Sequence, residues 1–363
     1  MRILILNWKD PQHPRAGGAE DFTFNIATRL VRRGHEIDWF TSMYEGAEKD
    51  SIQDGIHFIR QGSIYTTQSK SRTYLASLRR TNLPDVVIDE VNTLPFFPAR
   101  VLPKGTVVVN LIHQLAREFW FYETPLPVAL LGRYWLEERW LKEISSNPTI
   151  TVSESSRSDL QTLGFKNVRI IHSGVSNIPS STTTHRAGFP VILFLGRLTK
   201  AKKPQDACQA YNWLRSRVPC SMTVIGSGPL FKRLKLQFPG VQFVGRVTED
   251  IKRDLLRGAT FIFVPGVREG WGRVILEAQA LGVVPIVYDV PGLRDAVDFG
   301  RVGVLASENT PEGIGRSAYD LMRCPGDLAK LVNRGYEWAK QHTYDASAAA
   351  FESCLLDPGF VSI

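Results

Sequence analysis

The chain is expected to fold as an α/β protein built of two doubly wound, parallel-sheet domains facing each other across a cleft. Three observations carry this. Short apolar runs alternate with amphipathic helical stretches along nearly the whole chain, the pattern of repeated βα units. The rhythm lapses once, in a polar Pro/Ser/Thr-rich stretch near the middle, and then restarts. With 363 residues the chain exceeds one ordinary core, so about two domains are expected.

In the first half, strands are expected at residues 2–8, 36–41, 57–60, 86–91, 107–112, 149–153 and 168–172. Helical periodicity fills residues 19–33, 69–80, 126–145 and 154–163. Gly34 closes the first helix, in the position where a glycine often ends one. Residues 176–190 are aperiodic and read as a connection, which gives a first domain at 1–176, a linker at 177–189 and a second domain at 190–342. Strands then return at 191–195, 221–225, 241–244, 261–264, 284–288 and 302–305, and residues 328–341 and 344–355 read as two consecutive helices. Ligands of such sheets gather at the carboxyl ends of the strands, so the loops there are where chemistry is sought.

Composition narrows the class. Hydrophobic residues at 43% and charged residues at 22% describe a globular protein. No apolar run approaches the roughly 20 residues that span a bilayer. The opening run Arg2-Ile-Leu-Ile-Leu-Asn-Trp8 is too short for a signal-peptide core. Cys208, Cys220, Cys324 and Cys354 lie far apart and form no metal-type cluster, which suits a reducing cytoplasm. Net charge is +8, from 44 basic and 36 acidic residues, with the excess mostly on the second half. Such an excess suits a small polyanion such as a nucleotide diphosphate. Nucleic acid is disfavoured, because no basic run, zinc spacing or RNA-binding signature accompanies the charge.

The densest chemistry lies in Glu269-Gly-Trp-Gly-Arg-Val-Ile-Leu-Glu277, after the strand at 261–264 and at the start of a helical pattern running to about 281. Gly270 and Gly272 let backbone approach a ligand closely, and amides at a helix start face anions. Glu269 belongs to the loop and Glu277 to the helix, which places one carboxylate near a sugar and the other near a ribose. Gly196-Arg-Leu-Thr-Lys-Ala-Lys-Lys-Pro204 follows the first strand of the second domain. Arg197 and Lys202 could clamp a diphosphate there, with Pro204 opening the next helix; a solvated basic turn is the alternative. Gly226-Ser-Gly-Pro229 is a strand-to-helix turn that either cradles phosphate or is only a turn. Gly17 and Gly18 start the first helix and suit a pyrophosphate or an acceptor anion, but lack the three-glycine dinucleotide fingerprint.

His113 ends the strand at 107–112, and Asp89 and Glu90 end the one before it, where acceptor hydroxyls could bind. The aromatic block Arg117-Glu-Phe-Trp-Phe-Tyr122, with Trp135 and Trp140, is either an acceptor or membrane-surface platform or packing between helix and sheet. No Asp-x-Asp pair occurs, which removes a common way of holding a diphosphate through a divalent metal.

Taken in order, these motifs resemble those of the retaining glycosyltransferases of family 4 (group 1), over nearly the full length. The matches are Gly17-Gly18-Ala-Glu20, His113, Thr151-Val-Ser-Glu154, Gly196-Arg-Leu198 with Lys202, Gly226-Ser-Gly-Pro229, Glu269 and Glu277, and Gly282 before Val284-Pro285. The resemblance implies the GT-B fold, two Rossmann-like domains, with a last helix at 343–363 crossing back onto the first. It implies transfer of a hexose-type sugar from a UDP- or GDP-sugar, with retention and without metal or resident cofactor. The acceptor would be a carbohydrate, a lipid-linked molecule or another small molecule. The expected location is the cytoplasm, with peripheral contact at the inner face of the cell membrane. By the same resemblance, Arg197 and Lys202 hold the diphosphate and Glu277 the ribose. Glu269 and the backbone of Gly270, Trp271 and Gly272 hold the sugar, and His113 contacts it from the first domain. Amides of Val274 and Ile275 meet the distal phosphate, while Arg246 and Val247 border the base. Trp271 stands where Phe is usual, and Arg273, four residues before Glu277, where an apolar residue is usual. Two other classes stay open at this point: a sugar-nucleotide epimerase or hydrolase on the same fold, and a non-enzymatic sugar-nucleotide or nucleic-acid binding protein.

Overall fold

A computed structural model describes residues 1–79, 82–181 and 188–361. Arg80 of the expected helix and residues 182–187 of the expected linker lie outside the described residues. The chain divides into two compact units. One comprises Met1–Trp120, Pro125–Gly174 and Tyr344–Ile363; the other comprises Phe121–Thr124 and Val175–Thr343.

The first unit holds β1 (Arg2–Leu6), β2 (Glu36–Thr41), β3 (Asp50–Gln53), β4 (Ile56–Arg60), β5 (Val86–Glu90), β6 (Val107–Ile112), β7 (Thr149–Thr151) and β8 (Val168–Ile170). They form one sheet in the order β3-β4-β2-β1-β5-β6-β7-β8. Pairing is parallel except between β3 and β4. Strand β3 was not expected from the sequence. It is a largely exposed edge with Ile52 as its one apolar residue. It turns into β4 through Asp54-Gly55, both at positive φ (50° and 79°), as a two-residue hairpin requires. Strands β1 and β5 are buried on both faces, so they read as continuous apolar runs.

In the second unit, β9 (Val191–Leu195), β10 (Ser221–Ile225), β11 (Gln242–Gly245), β12 (Phe261–Val264), β13 (Val284–Val287) and β14 (Val304–Leu305) form an all-parallel sheet ordered β11-β10-β9-β12-β13-β14. Alternate residues of each strand feed two cores. Ile192 and Phe194 join Phe261, Phe263 and Tyr211, whereas Leu193 joins Ile262, Ile275 and Ala278. Strand order reverses between β1 and β5 in one unit and between β9 and β12 in the other. Those reversals are the switch points at which open α/β sheets bind ligands.

Residues 126–145, expected as one helix, are interrupted. Helix Leu126–Leu131 passes into a wide π-turn, Gly132–Leu136, and then helix Glu137–Ile144. On a regular α-helix, positions five apart point about 140° from each other. The wider turn brings Gly132 and Glu137 onto one side. Gly132 lies against the Trp120 ring, where a Cβ would clash. Glu137, 3% exposed, accepts the Arg117 amide at 3.0 Å and the Trp120 indole N–H at 3.1 Å. Trp120 of the aromatic block is therefore a packing residue.

The start of the expected linker is docked rather than loose. Val175 and Ile178 pack with Leu276, Ala280 and Ala339, and the Tyr336 hydroxyl donates to the Pro179 carbonyl at 2.7 Å. The last long helix, Tyr344–Leu356, belongs to the first unit, where Asp345 pairs with Arg29 at 2.8 Å and Glu352 with Arg33 at 2.6 Å.

Candidate active site

At the switch point of the second unit, the turn after β9 and the loop after β12 are built against each other. Gly196 leaves β9, and Gly226 crosses it so closely that a Cβ there would overlap the Gly196 carbonyl. Gly228 likewise passes Leu198, whose amide donates to the Ser227 carbonyl at 2.9 Å. These glycines allow two strand ends to cross. The Gly226 amide donates to the Gly245 carbonyl at 2.7 Å, so it is not available to a phosphate, which corrects the expectation for Gly226. Arg197 is exposed at the end of β9, and Lys202 ends a single 3-10 turn, Lys200–Lys202. Lys203 takes positive φ (46°), and Pro204 occupies the first position of helix Pro204–Arg215, as expected.

Lys202 and Glu269 form an ion pair, with side chains 21% and 18% exposed. A cation and the loop carboxylate thus meet at the strand switch. The Val267 amide donates to the Ala201 carbonyl at 3.0 Å and the Glu269 amide to the Pro291 carbonyl at 3.1 Å, which pins the loop from both sides. Gly292, at φ 82°, passes so close to the Glu269 backbone that a side chain there would overlap its carbonyl oxygen. Gly292→Ala should cost on the order of 2–4 kcal/mol and displace Glu269. Denaturant unfolding checks this, and a variant of wild-type stability would refute it.

Gly272, at φ 75°, caps helix Arg273–Ala280. The Ile275 amide donates back to the Gly272 carbonyl at 2.8 Å, a correction to the expected use of Ile275, and Val274 lies just before it in the first turn of the helix. Glu277 lies one turn in. Arg273 reaches its Oε1 at 3.2 Å, the i,i+4 pair expected from the spacing. Lys252 reaches its Oε2 at 3.0 Å and also pairs with Glu249 at 2.7 Å. Burial disfavours the Lys252 charge, but Glu277 and Glu249 outweigh it and raise its pKa. Lys252 was missed from the sequence, because Glu249-x-x-Lys252 reads as an ordinary surface helix pair. Arg246 donates to the Ser227 hydroxyl at 2.9 Å, and the half-buried Val247 packs toward the sheet.

Trp271 turns inward. It is 4% exposed, and its ring lies 6.4 Å from Trp338 and 5.6 Å from His342. Its side chain is thus a packing element behind the loop. The neighbouring Gly270 stays half-buried.

The first unit gathers another polar cluster beside its switch point. The Gly17 amide donates to Glu20 Oε2 at 2.6 Å, closing a cap at the start of helix Gly18–Arg32, so Gly17 does not present its N–H to an anion as expected. Gly18 is the first residue of that helix. Glu20, 1% exposed, pairs with Lys9 at 2.9 Å. His113 Nε2 lies 3.2 Å from Glu90 Oε1, and its ring meets Phe22 edge-on at 5.2 Å. Burial raises the Glu90 pKa, and the bond to His113 opposes it. Asp89 is pushed up to about 7 by burial, opposed by the Phe96 and Phe97 amides it accepts. It therefore organises its own loop and is spent for acceptor binding.

Comparison with known proteins bears on the family and the fold. Residues 16–177 match the model of Glycosyltransferase Family 4, and residues 180–338 match that of Glycosyl transferases group 1. The chain is 25% identical to a glycogen synthase of Mycobacterium tuberculosis over 90% of its own length and 87% of that protein's. A D-inositol 3-phosphate glycosyltransferase of Catenulispora acidiphila is 31% identical over 44% of the chain and 41% of its own length. Among solved structures, sucrose-phosphate synthase of Thermosynechococcus elongatus superposes with a TM-score of 0.78 at 17% identity, covering 97% of both chains. HepE of Anabaena in complex with UDP and glucose gives a TM-score of 0.68 at 17% identity, covering 98% of this chain and 99% of that one. With its two parallel-sheet units and both family models matched in sequence, the chain belongs to the group 1, family 4 glycosyltransferases and has the GT-B fold.

Proposed function

We propose that the protein transfers a hexose-type sugar from a nucleotide diphosphate-sugar to an acceptor hydroxyl, with retention of anomeric configuration and without a metal ion. The observation that carries this reading is the paired arrangement of Lys202 with Glu269 and of Arg273 and Lys252 with Glu277, flanking one helix start. Departure of the diphosphate leaves a cationic sugar and concentrates negative charge on the leaving phosphate. Arg197, Lys202 and the amide of Val274 supply preorganised positive groups for that charge. Glu269 takes the sugar hydroxyls and Glu277 the ribose hydroxyls. The sugar's C1–O bond to phosphate breaks and a C1–O bond to the acceptor forms on the same face. The acceptor's proton passes to the departing phosphate oxygen. The complex of HepE with UDP and glucose supports a uridine-type donor.

The test is turnover of a panel of UDP- and GDP-hexoses, with product configuration read by NMR. Enzyme treated with a chelator should retain most of its rate. An inverted product, or complete loss on chelation that magnesium or manganese restores, would contradict the proposal.

A further inference from the structure

Residues 126–135 reverse the usual amphipathic order of a helix. The smallest residues face the domain: Ala129 is 0% exposed, and Gly132 lies on the Trp120 ring. The large apolar residues face outward, with Leu126, Val128, Leu130, Leu131, Tyr134 and Trp135 between 46% and 64% exposed. A helix adapted only to water would carry charged side chains on that face. No acidic residue occurs between Glu123 and Glu137, and Glu137 turns inward. Cations border the patch. The Arg133 guanidinium lies 5.1 Å from the Tyr134 ring centroid, and that of Arg139 lies 5.1 Å from Trp135.

We infer that this face docks on a lipid bilayer surface containing anionic headgroups, with the leucines entering the acyl boundary. Among the described residues, no helix is long and apolar enough to cross a membrane, so the segment would lie on the surface. Three features favour lipid over protein. Trp and Tyr bordered by guanidinium groups suit the zone between headgroups and acyl chains. The Arg133 and Arg139 guanidinium groups complement anionic headgroups, and the one outward-facing acid between them, Glu138, is paired with Lys142 at 2.8 Å. A stable protein interface takes roughly 20–30 residues a side, more than this one segment offers a second copy of the chain. The inference is independent of the transfer reaction, and it narrows the expected membrane platform, residues 117–122 with Trp135 and Trp140, to the stretch 126–135 that carries Trp135.

The whole protein is sedimented with vesicles of phosphatidylcholine alone and with vesicles that also contain phosphatidylglycerol. The protein should partition onto the mixed vesicles and less onto the neutral ones. Leu130→Ser with Leu131→Ser should lower that partition roughly 100-fold. The unfolding temperature should be unchanged, since both side chains are exposed. Arg133→Gln with Arg139→Gln should erase the preference for anionic vesicles. No binding to either vesicle, or equal binding by the leucine variant, overturns the inference. So does a dimer, seen by sedimentation velocity without vesicle binding, that the leucine substitutions dissolve.

Discussion

Lys202→Ala is expected to slow transfer by about 10- to 150-fold and to weaken nucleoside diphosphate binding by a similar factor. The estimate rests on losing one charge-assisted contact, about 1.5–3 kcal/mol. Two losses coincide at this residue. The diphosphate loses a fixed cation, and Glu269, only 18% exposed, loses its partner and must be held by backbone alone. Lys202→Arg should recover only part of the rate, because a broad planar fork of longer reach does not reproduce a compact ammonium. Steady-state rates with calorimetry on the nucleoside diphosphate decide the matter. Wild-type turnover in Lys202→Ala would remove the clamp from the mechanism.

The two glutamates should separate in the same measurements. Glu269→Gln should lower the turnover number by one to two orders of magnitude, roughly the 1.5–3 kcal/mol of one charge-assisted contact. It should leave bare nucleoside diphosphate binding intact or tighter, because Lys202 is no longer engaged by the carboxylate. Glu277→Gln should weaken the bare diphosphate and the intact donor alike, since the ribose is present in both. Loss of an interaction specific to the transition state lowers turnover, whereas loss of uniform binding mainly raises the Michaelis constant. The opposite result, with diphosphate binding abolished in Glu269→Gln and preserved in Glu277→Gln, would reverse the two assignments.

The sequence was most legible where burial is complete. Strands β9 and β12 occur at the expected residues, since parallel strands covered on both faces are written as unbroken apolar runs. Legibility fell where partners are distant or exposure is high. Strand β3 has almost no apolar face to read, although Asp54-Gly55 was a usable hairpin signal. The π-turn at Gly132–Leu136 answers to Trp120 and Glu137, and periodicity does not report such a fit. Within the site, the Arg273–Glu277 pair followed from helical spacing, but Lys252 reaches Glu277 from another helix. Composition marks Gly17 and Gly226 as special backbone without saying which partner takes the amide, and here Glu20 and the Gly245 carbonyl take them.

The inward turn of Trp271 has a practical consequence. Its indole and that of Trp338 are held at 25° between ring planes, and Trp338 sits 4.2 Å from the His342 imidazole. His342 is kept below its ordinary pKa by burial, against the pull of the Trp338 carbonyl and Asp298, so the imidazole stays uncharged at neutral pH. Rigid, closely spaced indoles contribute strongly to near-ultraviolet circular dichroism, which follows side-chain packing rather than backbone content. One of the two chromophores is covalently part of the segment that carries Glu269. Any displacement of that segment on titration with a nucleotide would therefore register optically, without a label and without an assay for the acceptor.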